Sequence, residues 1–299
     1  MIIPQYLKKD SKIALISPAG KIRKEFVNDA VELIKNKAFI PVVFPSCFNE
    51  YFQAAGKDGE RLADLQNAID SEEIDAILCS RGGYGVIRIL DKLDFTGFIQ
   101  KPKWLIGFSD ITNLHLALNK IGIQSIHAQM AKAMHENPYS KAVTEIFDIL
   151  RGNLPEYQIE PHPFNRKGTC TGEIIGGNLS IIYSLQSTAF EINTNNKILF
   201  IEDLNEYLYH IDRMMINLKL SGKLKNLKGL IVGAFTEIKD NDTPFGKSVY
   251  EIISEHVQEY DFPVCYNFPV GHIDNNLPII EGSTVKLSIN ENSVNLKFI

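Results

Sequence analysis

Short apolar runs alternate with segments of helical period through the first half of the chain. "KIALIS" (12–17) is an apolar run closed by Pro18 and Gly20, which predicts a buried strand and a turn. "KEFVNDAVELIKNK" (24–37) places Phe26, Val27, Ala30, Val31 and Ile34 at helical spacing. Strand patterns recur at 39–44, 75–80, 103–108 and 124–128. Helical ones recur at 59–70, 86–93, from Ile111 onward, and at 141–152. Apolar strands separated by amphipathic helices predict a parallel sheet covered on both faces.

Residues 153–169 break this rhythm with prolines and scattered charges, and predict a linker holding at most one short strand. The expected division is therefore a first domain over 1–152 and a second over 170–299. The second half restarts at "GEIIGGNLSIIYSL" (172–185) and continues with a strand at 197–203, a long helix at 206–222, a strand at 229–235 and a helix at 247–260. It closes on two alternating runs around Asn-Glu-Asn-Ser (284–298), which predict an antiparallel hairpin. The fold class is α/β throughout. No internal repeat or low-complexity tract is visible.

Composition narrows the function classes. The chain has 299 residues, 44% hydrophobic and 22% charged, enough for two domains of about 150 residues. A net charge of -5 gives no electrostatic reason to expect nucleic acid. No apolar run reaches the roughly 18 residues of a membrane-spanning helix. The opening MIIPQYLKKDSK lacks a signal-peptide pattern, and the cysteines Cys47, Cys79, Cys170 and Cys265 form no CxxC pair. Both observations predict reduced thiols in a cytoplasmic protein. No metal-ligand spacing is present, and no cofactor is expected.

Ser109 stands at the corner between the strand pattern 103–108 and the helix from Ile111. Two readings fit that placement. It is either a helix N-cap or a hydroxyl exposed at a helix tip, where orphan N–H groups welcome an anion. The glycines of "SRGGYG" (80–85) let backbone N–H groups approach a ligand, or simply make a turn. Glu202 and Asp203 end an apolar strand, and neighbours on a strand point to opposite faces. His272 follows Gly271 in a proline-flanked loop. Of the other histidines, His115, His210 and His256 fall in helical patterns, His127 in a strand, and His135 and His162 in polar loops.

The motifs SPAG (17–20), RGGYG (81–85), GFSD (107–110), GGNL (176–179), IED (201–203) and a Gly271-His272…Pro278…Gly282 run occur in the order found in the LD-carboxypeptidases. The chain resembles that family from about Ile3 to Gly282. Its members are serine peptidases of murein recycling, and the microcin C immunity proteins are also among them. The resemblance implies a flavodoxin-like N-terminal domain, a β-rich α/β C-terminal domain, a site between them, and a homodimer. It implies a triad of Ser109, Glu202 and His272, and an oxyanion hole from the backbone N–H groups of Gly83 and Asp110. Asp203 is then structural, capping the helix that starts near Asn205. Arg81, the nearest cation to the glycine loop, and Tyr84 are the candidates for substrate binding; an ion pair at the sheet edge is the other reading of Arg81.

The implied activity is hydrolysis of an L,D-peptide bond, releasing terminal D-alanine from a murein tetrapeptide. Two alternatives stand beside it. One is an immunity-type peptidase acting on a peptidyl nucleotide, although the sole tryptophan, Trp104, lies in a buried-looking strand. The other is a small-ligand binding protein without catalysis.

Overall fold

The computed structural model describes residues 1–299, which form two compact units. The first comprises Met1–Leu154 and Asp274–Glu281; the second comprises Pro155–Ile273 and Gly282–Ile299.

The first unit runs β1 (Lys12–Ile16), α1 (Lys24–Asn36), β2 (Ile40–Val43), α2 (Asp58–Asp70), β3 (Ala76–Cys79), α3 (Thr96–Gln100), β4 (Trp104–Gly107), α4 (Thr112–Lys120), β5 (Ser125–His127), α5 (Ala131–Glu136) and α6 (Lys141–Leu150). These strands are parallel and lie in the order β2-β1-β3-β4-β5. That is the flavodoxin-like doubly wound order, whose switch point lies between β1 and β3. Consecutive residues of β3 and β4 are all buried, so both faces of the sheet are covered, as their unbroken apolar runs require. α1 buries Val27, Ala30, Leu33 and Ile34 at helical spacing.

The second unit runs β6 (Glu156–Ile159), β7 (Gly168–Asn178), α7 (Leu179–Ser184), β8 (Lys197–Leu204), α8 (Leu208–Leu220), β9 (Gly229–Thr236), α9 (Val249–Val257) and β10 (Val264–Cys265). The chain then contributes β11 (Ile279–Glu281) to the first unit before completing the second with β12 (Thr284–Ile289) and β13 (Val294–Phe298). The second sheet is ordered β10-β9-β8-β7-β12-β13-β6. Its β10-β9-β8-β7 half is parallel, and the expected hairpin β12-β13 makes the other half antiparallel together with β6. α9 opens on a capping box in which Ser248 accepts from the Glu251 N–H and Glu251 accepts from the Ser248 N–H.

The structure departs from the sequence expectation in several places. Residues 155–169 do more than connect: the one short strand expected there, β6, pairs with β13, and the backbone of Arg166 bridges to Val264. Their polar composition reflects an edge strand, alternating buried Tyr157 with exposed Glu156 and Gln158. Residues 274–281 fall in the first unit, because β11 pairs antiparallel with β5. The segment 86–93 is not a helix but two 3₁₀ turns, 86–88 and 90–92, a form suited to short connections. His135 lies in α5 rather than in a loop.

Close packing makes a sharp prediction for β7. A Cβ on Gly176 would collide with the Phe200 carbonyl of β8, whereas Gly59 in α2 has open space around it. Gly176→Ala should leave little soluble protein or a strongly lowered thermal melt. Gly59→Ala should melt at or slightly above the wild-type temperature. Comparable melts for the two would show the β7–β8 contact to be compliant.

Candidate active site

The loops after β1, β3 and β4 leave the carboxyl ends of adjacent parallel strands, where doubly wound sheets bind ligands. Ser109 follows β4. Its backbone sits at φ +65, a left-handed conformation rare for a residue with a side chain. It begins a 3₁₀ turn, Ser109–Ile111, that leads into α4. Phe108 takes the N-cap position of that turn and Ile111 that of α4, so Ser109 is not the N-cap residue of either.

The glycine loop closes on this serine. A Cβ on Gly82 would lie 2.9 Å from the Ser109 Cβ and 3.2 Å from its Oγ, so only glycine permits the approach. The SPAG turn then fixes the loop's peptide plane. The Gly20 N–H donates to the Gly82 carbonyl at 2.9 Å, and in a trans peptide the Gly83 N–H must point the opposite way. The Asp110 carboxylate accepts from the Val86 N–H at 2.9 Å. Burial pushes its carboxyl up to about 6. Beneath the loop, the buried hydroxyls of Ser17 and Ser80 meet at 2.5 Å. Thus Ser109, Gly83 and Asp110 share one neighbourhood in the first unit.

Arg81 is exposed and forms no ion pair; its Nη1 donates to the Lys21 carbonyl at 2.5 Å. The sheet-edge ion-pair reading is therefore replaced by a backbone anchor. Tyr84 is exposed beside Arg88.

Glu202 and His272 meet in the second unit. Glu202 is fully buried near the end of β8, and its Oε2 lies 2.6 Å from the Nδ1 of His272. Two local features make room for this pair. β9 carries an extra residue opposite Glu202, since Ile201 pairs with Val232 but Asp203 with Phe235. Gly271 stands at φ +116, and a Cβ there would lie 2.7 Å from the Glu202 Cβ. Burial pulls the His272 imidazole down, but the Glu202 carboxylate, helped by Asp203 and Glu237, outweighs it and holds the imidazole above its usual value.

Asp203 faces the other way, as strand alternation requires. Its carboxylate accepts from the Asn178 Nδ2 at 2.9 Å, the Ser180 N–H at 2.9 Å and the Leu204 N–H at 2.8 Å. It therefore braces the start of α7, not the helix after Asn205 as the sequence suggested. Burial and the neighbouring Glu202 charge push its carboxyl up to about 7.

Family models match both units: the LD-carboxypeptidase N-terminal domain over residues 13–128 and the C-terminal domain over 171–287. The chain belongs to the LD-carboxypeptidase family. A probable murein peptide carboxypeptidase of Bacillus subtilis is 30% identical over 96% of this chain and 92% of its own length. The murein tetrapeptide carboxypeptidase of Pseudomonas aeruginosa is 28% identical over 94% of each chain. The crystal structure of muramoyltetrapeptide carboxypeptidase from Oxalobacter formigenes superposes with a TM-score of 0.87 at 24% identity, covering 96% of this chain and 98% of that one; it shares the fold.

In this LD-carboxypeptidase relative, one residue that bonds the loops around Ser109 was not singled out from the sequence. Arg61 in α2 is buried, and its guanidinium holds the Pro18 and Gly85 carbonyls. The signal was present: an arginine on the same helical face as Leu65, Ala68 and Ile69.

The pair predicts a titration. The His272 imidazole in the wild type should titrate above the ordinary value of about 6.5 when followed by NMR. Glu202→Gln removes the negative charge that favours the imidazolium, leaves the desolvation, and should move the midpoint down. An unchanged midpoint in that variant would assign the upward shift to other groups.

Proposed function

We propose that this peptidase hydrolyses the L,D-peptide bond that releases terminal D-alanine from murein tetrapeptides, with Ser109 as nucleophile, His272 as general base and Glu202 as its orienting carboxylate. The observation that carries the reading is the buried Glu202–His272 pair at 2.6 Å. A carboxylate can only accept, so it keeps the proton on Nδ1 and leaves Nε2 as the acceptor a serine hydroxyl needs. Murein peptide is the substrate class in the printed names of the relatives.

In this mechanism the Ser109 Oγ bonds to the scissile carbonyl carbon while its proton passes to His272 Nε2. The carbonyl oxygen becomes an oxyanion stabilised by the N–H groups of Gly83 and Asp110. Collapse breaks the C–N bond, and the amine of D-alanine leaves with the proton from His272. Water then repeats the sequence on the acyl-enzyme and frees Ser109. Arg81, with no carboxylate partner of its own, is the group we assign to the terminal carboxylate of the substrate, with Tyr84 beside it.

The peptidyl-nucleotide reading gains no support from Trp104. It is fully buried in β4 and stacks on Tyr6, so it offers no face to a nucleobase. No helix is long and apolar enough to cross a membrane. Our reading also includes a cytoplasmic location, supported by four free cysteines, and a homodimer, as the family resemblance implies.

Ser109→Ala should abolish D-alanine release while leaving the fold intact, with a loss of about 10⁴ to 10⁶ in rate. Incubation with a murein tetrapeptide and quantification of D-alanine tests this. A variant keeping a tenth of wild-type turnover would remove Ser109 from the nucleophile role.

Comparing the adjacent carboxylates gives a second test. Glu202→Gln should lose far more kcat/KM than Asp203→Asn at matched thermal stability, because an amide neither stabilises the imidazolium nor fixes its tautomer. Greater damage from Asp203→Asn would mean that the triad has a different third member.

A further inference from the structure

Arg61 sits where the helical pattern of α2 calls for an apolar side chain. It is 1% exposed and shares its face with Leu65, Ala68 and Ile69. A guanidinium buried this deeply is costly without partners; both Nη atoms have them, while Nε is buried with none. Here Nη1 donates to the Pro18 carbonyl at 2.5 Å and to the Gly85 carbonyl at 3.0 Å. Nη2 bonds the Asp58 carboxylate at 2.5 Å, and Asp58 in turn takes the Arg88 guanidinium at 2.7 Å.

These bonds converge on the loops around Ser109. Arg61 holds the Gly85 carbonyl at the end of the glycine loop. The Asp110 carboxylate, one residue beyond the serine, takes the Val86 N–H. Pro18 belongs to the SPAG turn, whose Gly20 N–H fixes the Gly82 carbonyl and hence the direction of the Gly83 N–H. One fully buried cation therefore ties the 17–20 turn to the 80–85 loop, and Asp110 ties the residue just past that loop to the serine turn. Arg61 itself contacts neither Ser109 nor the oxyanion donors.

We propose that Arg61 is a positioning residue that holds the Gly82–Gly85 backbone in the conformation that aims the oxyanion donors, and so acts mainly on the transition state; Arg81, assigned above to the substrate carboxylate, is anchored separately on the Lys21 carbonyl. The inference rests on the serine-hydrolase reading given above.

Arg61→Lys keeps the charge but replaces a rigid fork with a single ammonium, which cannot grip both carbonyls and Asp58 in the same geometry. Its kcat on a murein tetrapeptide should fall about 10- to 100-fold while KM stays within about twofold. The decisive readout is a peptide boronic acid. The Ser109 oxygen bonds to boron, boron becomes a tetrahedral anion in the oxyanion hole, and the hydroxyl proton passes to the base. Affinity for the boronic acid should drop in step with kcat, while the inhibition constant of the tripeptide product stays unchanged. A folded Arg61→Lys enzyme with wild-type kcat would overturn the proposal, as would equal losses of boronate and product affinity. Should Arg61→Lys not fold, Asp58→Asn loosens the same fork from its exposed end and should show the same split, at a few-fold magnitude. Wild-type turnover in that variant would equally overturn the proposal. Absence of a boronate adduct on Ser109 in the wild type, read by mass spectrometry, would instead count against the hydrolase reading itself.

Discussion

A carboxylate with no exposure to water constrains everything near it. Glu202 ends an apolar strand, and a buried charge without a partner is among the costliest features a protein can keep. Its neighbourhood is arranged around that demand. The extra residue in β9 opens space beside it, Gly271 lets the following loop come within contact, and His272 supplies the matching donor. The histidine gains a fixed tautomer and a raised affinity for protons from the same contact. One hydrogen bond pairs the Oε2 of the carboxylate and tunes the imidazole, while the buried Oε1 has no partner.

The same economy appears in the first unit, with the opposite sign of charge. Arg61 is a buried cation whose donors are taken mainly by backbone carbonyls of two turns. Asp110 is a buried carboxylate that accepts from the Val86 N–H, just past one of those turns, and from the Asn113 side chain. Backbone that is free to adopt unusual dihedrals is thereby pinned by side chains that are not free to leave. Glycine supplies the close approach and the buried ions supply the rigidity.

Much of this was legible in the sequence. The parallel strands of the first unit and the final hairpin follow from period and punctuation, because each element buries one face or two. Ser109 and His272 were visible as a serine at a strand–helix corner and a histidine beside glycine, and the order of motifs tied them to Glu202. Three things were not legible. Periodicity could not choose between Glu202 and Asp203, since both sides of β8 are buried; the choice shows in their partners, His272 for one and the start of α7 for the other. The role of Asp203 was misplaced because its partners, Asn178 and Ser180, are distant in sequence. The place of β6 at the edge of the second sheet was not legible, because an edge strand with one wet face carries the same polar residues as a loop.

Strand β11 has a consequence for how the gene can be divided. The chain leaves the second unit directly after Ile273, lends Ile279–Glu281 to the edge of the first sheet, and goes back at Gly282. Neither unit is a continuous stretch of sequence. A fragment cut at Leu154 would leave β5 with an unpaired, fully buried-type edge, an open template for another chain. The complementary fragment would carry β11 as a loose apolar segment, separated from its own His272 by residues 273–278. An exchange of whole units between two such chains must therefore move three junctions together.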